Sequence, residues 1–277
     1  MSKNLKALAC LAGVLLASPA FADWQLNMRP GVTELSRIAY DLHMRILWIC
    51  VWIAIAVFGV MIYSLVKFRR SKGAVADTTL LHSTKVEVIW TVIPILILVV
   101  MAVPAARGLI TDEDMSGADM TIKVTGYQWK WEYTYLDQNV DFFSTLARDS
   151  NAARITGSHI NPYSVQNYLL DVDHPLVVPV GKKVRVLLTA GDVIHSWWVP
   201  AFGIKRDAIP GFVNETWFKA EKVGTYRGQC AELCGRDHGF MPIVVVVKTQ
   251  ADYDAWLKAQ QAPPAEAAPA NPAPAAT

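Results

Sequence analysis

Gly228-Gln-Cys-Ala-Glu-Leu-Cys-Gly-Arg-Asp-His-Gly-Phe-Met241 is the stretch around which the chain is organised. It sets Cys230, Cys234, His238 and Met241 in one short loop, so that two thiols, an imidazole and a thioether can face a common point. Upstream, His195 stands in Asp192-Val-Ile-His-Ser-Trp197, at the end of a segment that reads as a strand. Soft sulfur ligands mixed with imidazoles suit copper, and a weak thioether suits a copper that carries electrons. A mononuclear centre of that kind uses one thiolate, and this loop offers two. Two thiolates can bridge two metals, each completed by one His, with Met241 and the Glu232 backbone carbonyl as weak outer ligands. The spacing therefore predicts a dinuclear copper centre. A Cys230–Cys234 disulfide in an exported domain and a two-Cys, two-His zinc site compete with it, although zinc leaves Met241 idle. His195 or Met241 taken singly reads as core packing, and only the joint spacing carries the metal.

The 277 residues suffice for one soluble domain plus a membrane anchor. A formal net charge of +2 gives no reason to expect a nucleic-acid partner. The sequence contains no phosphate-binding glycine loop, nucleophile elbow or zinc-protease helix. Of its four cysteines, Cys10 falls in a leader, Cys50 in an apolar helix, and Cys230 and Cys234 in the polar part.

Residues 1–22 carry Lys3 and Lys6, an apolar run and Ala20-Phe-Ala22, a secretory signal peptide expected to be cut before Asp23. Residues 23–110 read as an anchor hairpin with helices over about 44–67 and 86–107, each apolar enough to cross a bilayer. The loop between them holds Lys67, Arg69, Arg70, Lys72 and Lys85 against Asp77, which places it in the cytoplasm. The chain beyond the second helix then lies outside the cytoplasmic membrane of a bacterium. Glu87 begins the second helix, either as a solvated cap or as the mouth of a proton path into a partner subunit.

From Thr121 the period shifts to two, as in Thr-Ile-Lys-Val-Thr and Lys183-Val-Arg-Val, and short strands recur between Gly and Pro turns. The expected fold is α+β: a two-helix transmembrane hairpin followed by an all-β Greek-key domain over 111–250. Gly126-Tyr-Gln-Trp-Lys-Trp-Glu-Tyr-Thr-Tyr135 reads as one aromatic strand with Trp129 and Trp131 on a shared face, either core or docking contact. The polar segment 137–167 reads as a surface insertion, and residues 251–277 as a Pro/Ala-rich disordered tail. There is no Cys-x-x-Cys-His, so no haem is expected on this chain.

From about residue 36 to 248 the chain resembles subunit II of the haem-copper cytochrome c oxidases of the aa3 type. The likeness rests on Lys85-Val-Glu-Val-Ile-Trp-Thr-Val-Ile-Pro94, Gly126-Tyr-Gln-Trp129, Asp192-Val-Ile-His-Ser-Trp197 and Gly203-Ile-Lys-Arg-Asp-Ala-Ile-Pro-Gly211. The Cys loop with Met241-Pro-Ile completes the order. The resemblance implies a cupredoxin-like domain holding the copper pair CuA. Its ligands would be His195, Cys230, Cys234, His238 and Met241 through side chains and Glu232 through its carbonyl. The Glu232 carboxylate would reach a magnesium ion at the boundary with subunit I. Trp129 takes the place of the tryptophan at which electrons enter, Glu87 that of a proton-channel glutamate, and Asp173 and Asp192 those of acids that dock cytochrome c. The implied partners are subunits I and III, a c-type cytochrome, and copper-delivering and thiol-reducing assembly factors. Lys130 and Thr134 depart from the family's aromatic stretch, and the 137–167 insertion is unusual in length. A quinol oxidase subunit II lacks the copper ligands filled here, and nitrous oxide reductase has a similar copper domain without this two-helix anchor. The remaining rival is a membrane-anchored copper-storage or sensing protein with no catalytic partner.

Overall fold

A computed structural model describes residues 27–75, 79 and 82–262. The signal peptide expected at 1–22, Asp77 of the basic loop, and residues 263–277 of the expected tail lie outside the described residues.

Two long helices come first, α1 over Glu34–Lys67 and α2 over Thr84–Asp112. At about 1.5 Å per residue they reach roughly 50 and 44 Å, beyond the ~30 Å of a hydrocarbon core. Both exceed the spans expected from hydropathy, because helical hydrogen bonding continues past the apolar run into the flanking polar turns. At the start of α1 the Thr33 side chain accepts from the Ser36 backbone N–H, and the Ser36 side chain accepts from the Thr33 N–H. This reciprocal cap satisfies two donors that the first turn would otherwise leave bare. Pro94 and Pro104 sit inside α2, which runs through both. The apolar flanks of the two helices stay exposed, with Trp52 at 66% and Leu65 at 66%.

The rest is a sandwich of two five-stranded sheets, labelled in chain order. The first contains β1 (Met120–Tyr127), β2 (Lys130–Tyr135), β3 (Val140–Ser144), β5 (Lys183–Ala190) and β8 (Asn214–Lys219), in the order β3-β2-β1-β5-β8. The second contains β4 (Leu176–Pro179), β6 (His195–Val199), β7 (Ile204–Ala208), β9 (Gly224–Cys230) and β10 (Pro242–Lys248), in the order β4-β10-β9-β6-β7. The pairs β1·β5 and β4·β10 are parallel and the others antiparallel. Alternation fixes the core. Val184, Val186, Leu188 and Ala190 turn inward along β5, and Trp131, Tyr133 and Tyr135 along β2. They meet Trp197, Val199, Ile243, Val245 and Val247 of the second sheet.

Three expectations need correction. The aromatic stretch 126–135 is a hairpin rather than one strand: Tyr127 pairs with Lys130, and Gln128-Trp129 is the two-residue turn. Trp129 thus leaves the face of Trp131 and stands at the tip. The polar segment 137–167 is not wholly irregular. It supplies the edge strand β3 and a short helix, α3 (Arg148–Ala153), and Leu146 bridges to Val172. Residues 251–261, assigned to the tail, belong to a helix, α4 (Gln250–Gln261). Thr249 caps it, and Tyr253 turns into the core beside Trp256, so apolar contacts override the Ala-rich composition.

Both membrane helices are joined to the sandwich. Val32 N–H donates to the Ala201 carbonyl, Glu221 N–H donates to the Val32 carbonyl, and the buried Thr33 hydroxyl donates to the Phe202 carbonyl at 2.7 Å. Arg37 forks onto both carboxylate oxygens of Glu221. Gly203 has φ of 72°, and a Cβ there would lie 2.8 Å from the Ser36 Cα, so this close approach requires glycine. At the end of α2, the Trp217 indole donates to the Thr111 carbonyl at 3.1 Å, and Arg206 pairs with Glu113.

Candidate metal centre

Strand register puts the first candidate ligands side by side. β6 starts at His195, β9 ends at Cys230, Trp197 pairs with Cys230, and Ala231 N–H donates to the Ser196 carbonyl at 3.0 Å. The chain then loops out over residues 231–241 and re-enters the sheet at Pro242, opposite Gln229. A tight turn comes after Cys234, with Gly235 at φ 113° in the region that favours glycine. One helical turn over His238–Phe240 then delivers Met241.

The loop gathers its sulfurs and nitrogens. The Cys230 and Cys234 sulfurs are 3.8 Å apart, and both thiols are free. His195 Nδ1 lies 3.9 Å from the Cys230 Sγ, and His238 Nδ1 lies 3.4 Å from the Cys234 Sγ. Met241 Sδ stands 3.6 Å from the Cys234 Sγ, and the Glu232 carbonyl is 3.4 Å from the Cys230 Sγ. Two sulfurs bound to one soft ion at about 2.3 Å can stand no more than roughly 4.6 Å apart, so this pair can share an ion. The ligand atoms of His195, Cys230 and Cys234 all lie within 4.8 Å of one another. Each thiol has its own imidazole, and the thioether lies beside only one of them. That two-sided arrangement accommodates a pair of soft ions, and the donor set fits copper.

Burial and charge prepare the thiols unequally. Burial works against ionising Cys230, but His195 and the backbone N–H groups around it outweigh that, and its thiol titrates below the usual range. Burial and the nearby Cys230 push the Cys234 thiol up. The two thiols are therefore unequally ready to ionise, and a bound cation would favour the thiolate at both.

A second ring of contacts aims the ligands. His195 is fully buried, and its Nε2–H donates to Asp192 Oδ1 at 2.9 Å, leaving Nδ1 toward Cys230. Burial lowers the His195 basicity, but Cys230 and Asp192 more than reverse this. Burial likewise opposes the Asp192 charge, yet His195 and the Gln128 and Val193 N–H groups hold its carboxyl below the usual range. A metal-ligating imidazole is oriented by such a carboxylate on its other nitrogen. The Gln128 side chain and the Trp129 indole both donate to the Cys234 carbonyl, at 2.8 and 3.1 Å. The Trp131 indole donates to the Met241 carbonyl at 3.3 Å, its ring edge-on to His195. A Cβ at Gly126 would come within 2.8 Å of the His195 ring, so only glycine leaves the imidazole room.

The residues predicted from sequence fall into three groups. His195, Cys230, Glu232, Cys234, His238 and Met241 converge, with Trp129 against their loop. The Asp192 carboxylate faces His195 and stays 31% exposed, and that of Asp173 accepts from Thr145 N–H and Oγ1–H at 2.7 and 2.8 Å. Glu87 lies apart, in the first turn of α2, with its carboxylate 4.0 Å from His82 Nδ1. The sandwich joins α2 at its opposite end. Sequence reading passed over Gln128 and Gly126 as parts of the site. The Gly in Gly126-Tyr-Gln-Trp129 was the available signal, since an isolated Gly in a strand marks a close approach.

Comparison with known proteins gives the family. A family model described as cytochrome C oxidase subunit II, periplasmic domain, matches residues 120–248, and one described as its transmembrane domain matches residues 22–107. A probable cytochrome c oxidase subunit 2 of Rickettsia bellii (strain RML369-C) is 43% identical over 249 residues, covering 88% of each chain. Cytochrome c oxidase subunit 2 of Cereibacter sphaeroides is 36% identical over 280 residues, covering 93% of this chain and 91% of its own. Among solved structures, the periplasmic domain of subunit II of cytochrome oxidase of Bradyrhizobium japonicum is 46% identical, with TM-score 0.47. The match covers 53% of this chain and 96% of that one.

Proposed function

The chain belongs to the cytochrome c oxidase subunit II family, and on that premise we propose that it takes electrons from a c-type cytochrome at a dinuclear copper centre and hands them to the haem of subunit I. The observation that carries this is the pair of thiols 3.8 Å apart, each with its own imidazole and one with a thioether. Copper held there would supply one-electron redox chemistry with little change of geometry.

The chain's own groups do the rest. Cys230 ionises the more readily of the two thiols, and a bound cation would favour the thiolate at Cys234 as well. Asp192 holds the Nε2 proton of His195, which keeps Nδ1 free as a ligand. Trp131 and the sheet exclude water from one flank, burying Met241 to 1%. Trp129, half-buried at the hairpin tip and bonded to the Cys234 carbonyl, offers a short route from a docked donor. The Glu232 carboxylate faces outward, which suits a magnesium ion shared with subunit I. Asp173 and Asp192 add negative charge that would favour a basic donor face, and Glu87, in the first turn of α2, would lie toward the cytoplasmic side. The basic loop favours a bacterial cytoplasmic membrane with the sandwich outside. Two free thiols in an oxidising compartment call for reducing and copper-delivering assembly factors.

Copper content and electron paramagnetic resonance on the purified full-length chain test the reading. A seven-line hyperfine pattern with two coppers per chain is expected. A four-line pattern, zinc, or a Cys230–Cys234 disulfide would sink it. Copurification with a haem-bearing polytopic subunit separates this role from copper storage.

A further inference from the structure

The segment 137–167, expected as a surface insertion, reaches the Cys loop through one side chain. Arg154 comes directly after α3, and its guanidinium donates to both carboxylate oxygens of Asp237, at 3.5 and 3.4 Å. The same guanidinium lies 4.4 Å from the centre of the Phe240 ring, and its Nε donates to Asn151 Oδ1 at 2.7 Å, which fixes the plane of the fork. Asp237 immediately precedes His238, and Phe240 immediately precedes Met241. A single cation therefore grips the residue before each of two ligands. Backbone bonds transmit the grip, because Phe240 N–H donates to the Asp237 carbonyl at 2.9 Å and His238 N–H to the Gly235 carbonyl at 3.2 Å.

The pair is shielded enough to matter. Side-chain exposure is 27% for Arg154 and 16% for Asp237, so solvent screening is weaker than for a surface pair. A planar fork also holds direction, which a lysine cannot do. The platform is firm as well: Ser150 of α3 is buried, its hydroxyl accepts from Leu169 N–H at 3.1 Å, and Ala147 N–H donates to the Asp171 carbonyl. Arg154, Asp237 and Phe240 line a cavity of about 250 Å³ together with Trp129.

We propose that Arg154 is a positioning residue for the metal loop, clamping Asp237 with its fork and Phe240 with its face so that His238 and Met241 stay in ligand position. This rests on the copper reading above. The structured insertion then braces the half of the centre that β6 and β9 do not reach.

The test uses the full-length chain purified in its oxidase complex and loaded with copper, challenged with a copper(I) chelator. Arg154→Ala and Asp237→Asn should each release copper about tenfold faster, with altered hyperfine splitting in the copper that remains. The double variant should be no faster than either single, because the two act as one unit. Arg154→Lys should fall between, and Arg148→Ala, an exposed position on the same helix, should match the unmodified chain. Wild-type release rates in both singles, or single effects that multiply in the double, would overturn the clamp. So would full rescue by lysine. If the unmodified chain binds no copper, the reading beneath fails and the clamp falls with it, an outcome visible before any variant is made.

Discussion

Asp192 and His195 form an oriented pair: the carboxylate accepts a hydrogen bond from Nε2–H at 2.9 Å while the other ring nitrogen faces Cys230. Removing the carboxylate frees the ring to turn and leaves a fully buried imidazole N–H without its partner. Asp192→Ala should weaken copper retention by about 10–100-fold. Asp192→Asn, whose amide oxygen can still accept, should cost less. Equal losses in chelator competition would mean that charge rather than orientation is what Asp192 provides.

Gly126→Ala tests the space reserved for that ring. The new Cβ would come within 2.8 Å of His195, and crowding of this kind costs about 1–3 kcal/mol. A lower melting temperature together with reduced copper content is expected. Normal copper content would show that the imidazole can yield.

Trp129→Phe deletes the indole N–H while keeping a ring at the hairpin tip. Loss of one hydrogen bond to the Cys234 carbonyl should cost about 1 kcal/mol. The electron paramagnetic resonance spectrum should survive, while oxidation of a reduced c-type cytochrome slows. A variant as fast as the parent would move the electron route elsewhere.

The joint at the head of α1 predicts a pH effect with a definite sign. The hydrogen-bonded Arg37 fork holds the Glu221 carboxyl below the usual range, against a small opposing effect of burial. A depressed folded value means that the stabilisation is present above the unfolded value of about 4.3 and is lost as pH falls through the folded one. Both side chains are largely exposed, at 49% and 41%, so the pair is worth no more than about 1 kcal/mol. Melting curves of Glu221→Gln should therefore sit slightly below those of the parent near neutral pH and converge with them in acid. A gap that widens in acid would contradict the assignment.

Thr33→Ala removes the cap of α1 and the hydroxyl that donates to the Phe202 carbonyl. About 1 kcal/mol is expected from the cap alone. Gly203→Ala should cost more, since it combines a left-handed backbone with a 2.8 Å approach to Ser36. Limited proteolysis near residue 33 would report the loosened joint, and unchanged cleavage would argue that the joint does not depend on it.

The convergence of the candidate ligands was legible in the sequence because four of the side chains occupy one local loop, where spacing alone brings sulfur and nitrogen together. The membrane helices were legible for a similar reason, since length and hydropathy are local properties. The supports were not. Gln128 reaches the Cys234 carbonyl across a separation of 106 positions, and Arg154 reaches Asp237 across 83. Such contacts depend on strand register and on where an insertion folds back, and no periodicity encodes either. The aromatic stretch was misread because alternation continues on both sides of Gln128-Trp129, so a tight hairpin looks like one strand. Residues 251–261 were misread because Ala-rich composition hides Tyr253 and Trp256, two anchors that tie α4 to the sandwich.

The two-sided attachment of the membrane helices has a mechanical consequence. With Thr33 and Arg37 fastening one helix, and Trp217 and Arg206 meeting the other, the sandwich is a fixed turret rather than a tethered shuttle. If the proposed function holds, diffusive search would fall to the soluble donor, and the gap toward a membrane-embedded acceptor would be set once, when the chain folds.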